Sequence, residues 1–135
     1  MQIAGIDLYV NHPVMALGST EWIPTTLALN NEPAAACDTH VIVRVRAQVA
    51  LVKVRIFLDH GEADDRGRDA GALTTVFDGH LLLSDGRFVV GDVVGESRFT
   101  TSLLGKPGRR RVRVSVDAPQ GRAHAVDIVI SAELA

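Results

Sequence analysis

The sequence is short of cysteine, lysine and aromatic residues, and each shortage closes off a class of function. Cys37 is the only cysteine among 135 residues. A single thiol makes no intrachain disulfide, and without a second Cys or nearby His ligands it builds no structural zinc site, so a reducing, cytoplasmic compartment is the simpler expectation. Aromatic residues are limited to four Phe, one Trp and one Tyr, too few for a carbohydrate-stacking surface. Lysine occurs only at Lys53 and Lys106, against an abundance of arginine that GC-rich codon usage would produce by itself. The formal net charge of -2 provides no bulk attraction to nucleic acid or anionic lipid. No uninterrupted apolar stretch approaches the ~20 residues of a membrane span. The opening MQIAGIDLYV has no basic region ahead of its apolar residues and is interrupted by Asp7, so it reads as a strand rather than a signal peptide.

Helical spacing is also scarce, and period-two alternation dominates instead. Ala4, Ile6, Leu8 and Val10 share one face opposite Asp7 and Tyr9, which predicts a first strand ended by Asn11, His12 and Pro13. Trp22, Pro24 and Thr26 alternate with Ile23, Thr25, Leu27 and Leu29, and Pro24, which cannot donate to a ladder, points to a sheet edge or a bulge, making this second segment a candidate edge strand. Asn31, Pro33 and the following alanines fit a short helical turn. From His40 to Leu58 the alternation is long but changes phase, from odd positions (Val41 to Val49) to even ones (Val52 to Leu58), which predicts a bulge or sharp turn near Ala50.

Asp59 to Ala72 is rich in Gly and charge and lacks an apolar period, so it reads as an exposed loop. Leu81 to Leu83 and Phe88 to Val90 flank Ser84-Asp85-Gly86-Arg87, where Asp-Gly predicts a two-residue type I′ hairpin with Leu83 opposite Phe88. A Gly-Lys-Pro-Gly turn at 105–108 separates Phe99–Leu104 from Val112–Val116, and a last alternating run covers Val126 to Ala132. Pairing Asp117 with Ala123 around the intervening turn sets Arg113 opposite Asp127 and leaves Arg111 free. The expected fold is all-β: a single-domain antiparallel β-sandwich of about 7–9 strands spanning residues 1–135.

Catalytic signatures are missing. The five histidines, at 12, 40, 60, 80 and 124, have none of the spacings that place two metal ligands on one element. The acidic loop lacks the alternating oxygens and closing Glu of a calcium site. There is no nucleophile elbow or P-loop, and nothing around Cys37 favours a thiolate. The expectation is a non-enzyme without metal or cofactor. Two charged surfaces remain as binding candidates. Arg44, Arg46, Lys53 and Arg55 occupy polar phases of the central segment, and Arg111 the polar phase of a later strand. If these strands are neighbours, they form one positive sheet face. The acidic residues Glu62, Asp64 and Asp65 of the loop form the second.

The second half of the chain, with LTTVFDGHLLLSDGRFVVGDV followed by FTTSLLGKPGRRRVRVSV, resembles the small bacterial ComJ-like family of competence-associated nuclease inhibitors. The amino-terminal strand ending at Asn11-His12 and the nearby Trp22 fit the same plan. The resemblance implies a bacterial protein that binds another protein as an inhibitor or immunity-type partner of a nuclease or toxin, and it transfers no site residues. The alternative is a structural subunit that forms a homo-oligomer through exposed sheet edges. Neither reading involves a membrane or direct nucleic-acid binding.

Overall fold

A computed structural model of the chain describes residues 1–10, 13–45, 50–59, 73–93, 98–102, 106–119 and 123–135. Among these residues the regular structure is entirely β: β1 (Gln2–Val10), β2 (Val14–Gly18), β3 (Ala34–Ala36), β4 (His40–Arg44), β5 (Ala50–Asp59), β6 (Thr74–Leu83), β7 (Arg87–Asp92), β8 (Arg98–Ser102), β9 (Gly108–Val116) and β10 (Ala125–Ser131). They form two five-stranded sheets, ordered β1-β5-β10-β9-β6 and β3-β4-β2-β7-β8. Nine-residue β1 has the alternation expected of it, with Leu8 and Val10 buried and Asp7 and Tyr9 exposed. The all-β sandwich therefore stands, with ten strands and with one parallel pair, β5 against β10, among antiparallel neighbours.

The core lies between the sheets and is built from the inward phase of each strand. Val54, Ile56 and Leu58 of β5 stand beside Val126, Ile128 and Ile130 of β10, and the other sheet contributes Met15, Leu17, Val41, Val43, Phe88 and Val90, all at or near zero exposure. Branched side chains on pleated strands interdigitate well, and each buried one contributes about 1.5–3 kcal/mol. Arg110 shares the inward phase of β9 and is 1% exposed. Its guanidinium donates to the carbonyls of Lys106, Ser131 and Ala132 at 3.3, 3.1 and 2.6 Å, tying the carboxy-terminal segment to the sandwich.

Several local expectations are corrected by which sheet each strand joins. The phase change between His40 and Leu58 marks a passage from the second sheet into the first, because β4 and β5 belong to different sheets. Leu81 to Val90 is not a hairpin: β6 and β7 also lie in different sheets, and the turn between them carries the chain across the core. Leu83 and Phe88 are both fully buried there. Gly86 does have positive φ, at 74°, and its N–H bonds the Leu83 carbonyl at 3.2 Å. Asp85 does not, so the turn is not type I′. Similarly β8 and β9, on either side of the Gly-Lys-Pro-Gly segment, join different sheets.

The expected edge strand at Trp22 to Leu29 is replaced by turns and coil that cross the outer face of the second sheet. Ile23, Leu27 and Leu29 pack there against Ala16, Ile42, Val14 and Ala35. The expected helical turn is strand β3, since Ala34 to Ala36 pair with Val41 to Val43 of β4 and tertiary pairing overrides alanine's helix propensity. The terminal hairpin of β9 and β10 forms, but two residues out of the expected register: Asp127 faces Ser115, and Arg113 faces Val129. Asp117 explains the shift, because its carboxylate accepts from the N–H groups of His124 and Ala125 and so closes a longer turn.

Candidate functional site

The basic residues singled out in the sequence do not form one face. Arg44 is on β4 in the second sheet, and its guanidinium donates to the Asn30 carbonyl at 3.3 Å. Lys53, Arg55 and Arg111 are in the first sheet. Arg55 grips Asp127 with two bonds, Nε to Oδ1 at 2.8 Å and Nη2 to Oδ2 at 2.7 Å, and lies 5.5 Å from the centre of the Phe57 ring. Arg111 is not free, because it makes the same forked contact with Asp78 at 2.9 and 2.8 Å, with Arg113 3.7 Å from that carboxylate. The bonds from Arg111 hold the Asp78 carboxyl below its usual range. Exposed Lys53 stands in register with Asp7 on β1. Carboxylates therefore interleave these cations, and the outer surface of the first sheet carries no unbroken positive field. Arg46, Glu62, Asp64 and Asp65 lie outside the described residues.

A different constellation stands on the second sheet. Trp22, the only tryptophan, is 93% exposed. It belongs to the segment Ser19 to Ile23, which borders a cleft of about 320 Å³ lined on the sheet side by Ala16, His40, Val89, Gly91, Val93 and Arg98. Large apolar side chains scattered on a surface are ordinary, but a fully exposed indole at the rim of a concave site is the composition of an interaction hot spot.

The segment that presents Trp22 is fastened at several points. The Ser19 N–H donates to the Thr39 carbonyl at 3.0 Å, and the Glu21 N–H donates to Ser19 Oγ at 3.1 Å. The Thr20 hydroxyl donates to Asp85 at 2.6 Å, and the Ser84 hydroxyl donates to Glu21 at 3.0 Å. Arg87 also holds Asp85, through Nη2 at 2.9 Å. The bond from Thr20, aided by Arg87, draws the Asp85 carboxyl below its ordinary value. The turn between β6 and β7 is thus a clamp on the Trp22 segment.

His40 fixes the wall of the cleft. Its Nε2 is 3.1 Å from the Ser19 carbonyl, which can only accept, so Nε2 carries the proton. Nδ1 then accepts from the Thr39 hydroxyl at 2.8 Å. Burial lowers the pKa of His40, opposed by its contacts to the Ser19 and Glu21 backbone and by the Glu21 charge. The ring is held neutral with both nitrogens occupied, which suits a structural strut rather than a proton shuttle. Among the described residues no group of three or more metal-ligating side chains converges.

The architecture has known counterparts. The crystal structure of ComJ from Bacillus subtilis, an inhibitor of the DNA degrading activity of NucA, superposes with a TM-score of 0.69 at 11% identity, covering 97% of this chain and 96% of that one. In fold, the chain resembles ComJ. The crocagin biosynthetic gene J product also matches, with a TM-score of 0.56 at 14% identity and 97% of both chains covered. No protein-family model matches the sequence, and no curated protein matches it by sequence search. At such identities the likeness to ComJ establishes a shared fold over nearly the full chain.

Trp22, Glu21, His40 and Arg98 were not singled out as site residues by sequence reasoning. Trp22 sits in an alternating pattern that imitates a strand, and only Pro24 beside it hints at another conformation. His40 and Arg98 are separated from it by long stretches of chain and meet it only through the order of strands in the second sheet.

Proposed function

We propose that the chain is a non-enzymatic protein-binding β-sandwich that inhibits a bacterial nuclease, and that it engages its partner through the second-sheet surface bearing Trp22. The exposed indole, clamped at the rim of a preformed cleft, is the observation that carries this reading. The fold shared with ComJ supports the inhibitor class. Interface hot spots are enriched in Trp, and a rigid anchor loses little entropy on binding. A cytoplasmic location, in keeping with the lone Cys37 thiol, belongs to the same reading.

The test is inhibition of DNA degradation. The purified chain is titrated into NucA and into each purified non-specific DNA nuclease of the chain's own host. Stoichiometric loss of activity on at least one enzyme is the expected result. Undiminished activity of all of them at a large excess of the chain overturns the inhibitor reading.

A further inference from the structure

The cleft beside Trp22 contains an arginine whose charge nothing described neutralises. Arg55, Arg87 and Arg111 are each paired with a carboxylate. Arg98 is exposed and, among the described residues, makes no ion pair. It begins β8 and pairs with Gly91 of β7, so the two share a face of the sheet and Arg98 has no side chain beside it at that position. The neighbouring floor is apolar, with Ala16, Val89 and Val93. His40 contributes no charge, because both ring nitrogens are engaged and burial favours the neutral form.

Among the described residues, neither carboxylate that lines the cleft, Glu21 or Asp92, pairs with Arg98. The Glu21 carboxylate accepts from Ser84, which precedes β7, whereas Arg98 pairs near the far end of that strand. Asp92 is buried and shares the inward phase of Phe88 and Val90. A volume of about 320 Å³ is at the lower end of small-ligand sites, roughly 300–1,000 Å³, and suits one or two inserted side chains.

Resting on the protein-binding reading above, we infer that this cleft receives an acidic side chain of the partner, a Glu or Asp flanked by apolar residues, with Arg98 gripping the carboxylate and the apolar neighbours packing on Trp22 and the Val89/Val93 floor. A guanidinium matches a carboxylate bidentately, and partial enclosure in the cleft strengthens the pair relative to open water. An apolar flank gives the guest the mixed character of the cleft itself. The charge of Arg98 selects against lysine or arginine at the same position.

The test uses the full chain and three blocked tripeptides, acetyl-Leu-Glu-Leu-amide and its Gln and Lys counterparts, followed through the single indole N–H resonance of Trp22. The Glu peptide should shift that resonance saturably with a Kd on the order of 1–10 mM, and the Gln and Lys peptides should bind at least about fivefold more weakly. Arg98→Gln should erase the preference for Glu, while Arg98→Lys retains part of it. Acetate and inorganic phosphate, run as separate arms, should bind more weakly than the Glu peptide because they lack the apolar flanks. Equal binding of the Glu and Gln peptides, preference for Lys, or no saturable shift up to about 50 mM overturns the inference. Because no nuclease is present, its failure is separable from that of the inhibitor reading: a chain that inhibits a nuclease yet ignores the Glu peptide retains the function and loses this guest.

Discussion

Gly18 is where the sandwich hands the chain over to the Trp22 segment, and replacing it tests that construction. Its φ of 142° lies in a region that residues with a side chain rarely adopt, and an added Cβ would collide with the Thr39 carbonyl oxygen and stand 2.9 Å from His40 Cα. Both obstacles are backbone, so no rotamer change relieves them. The conformational strain is about 1–3 kcal/mol, and displacing Thr39 also weakens its bond from the Ser19 N–H, about 1 kcal/mol more. Gly18→Ala should therefore destabilise the protein by about 2–4 kcal/mol. With a urea slope of about 1.5 kcal/mol/M, the midpoint followed by far-UV circular dichroism should fall by roughly 1.3–2.7 M. Gly5→Ala is the control, since its Cβ would meet only the end of the exposed Gln2 side chain, which can turn aside, and its midpoint should stay within about 0.3 M. Equal midpoints for the two variants would refute the reasoning.

Asp127→Asn removes the anionic partner of Arg55 at a site where the carboxylate side chain is 8% exposed and the guanidinium 33%. The expected loss is about 1–2 kcal/mol, read from the same urea midpoint, and no loss would show that the pair is energetically idle. Because the folded-state pKa of His40 is lowered, unfolding takes up a proton between that pKa and the unfolded value near 6.5. Stability from this group is complete above about pH 6.5 and is lost as pH falls toward the folded pKa, with a slope of at most about 1.4 kcal/mol per pH unit. His40→Gln should flatten the pH 5–7 stability profile, and an unchanged slope would count against a buried neutral ring. Gly86→Val places a β-branched residue at a φ of 74° and should lower the midpoint by on the order of 1 kcal/mol or more in equivalent free energy. A midpoint matching wild type would mean the turn relaxes without strain.

Alternation is a local property, and it located β1, β5, β9 and β10 correctly because their inward residues, such as Leu8, Val54, Val114 and Ile128, recur at every second position of a pleated strand. It could not say which strands share hydrogen bonds. A turn such as Ser84 to Arg87 needs the same Gly86 conformation whether it closes a ladder or carries the chain between sheets, so the local pattern alone makes Leu83 and Phe88 look like ladder partners. The apolar residues on both faces of that segment were the available hint. The charged pairs follow from the same gap. Arg55 meets Asp127 because β5 and β10 lie parallel, and Arg111 meets Asp78 across β6 and β9, with His80 of β6 directly opposite Arg111. Neither contact is visible without strand order, and a surface that looked basic along the chain proves interleaved with carboxylates. The cleft was hidden for a related reason: Trp22, His40 and Arg98 come from three separate stretches that only the order β4-β2-β7-β8 brings together.

The central claim is that partner binding runs through Trp22 on the second sheet and not through the cations of the first. Inhibition constants of wild type, Trp22→Ala and Arg111→Glu against a nuclease that the chain inhibits test it most directly, with thermal midpoints confirming that all three are folded. A hot-spot tryptophan contributes at least about 2 kcal/mol, equivalent to roughly a thirtyfold change. A loss of that order is expected for Trp22→Ala, and a change within about twofold for Arg111→Glu. Full inhibition by Trp22→Ala together with its loss in Arg111→Glu would rule out a Trp22-centred interface and return it to the first sheet.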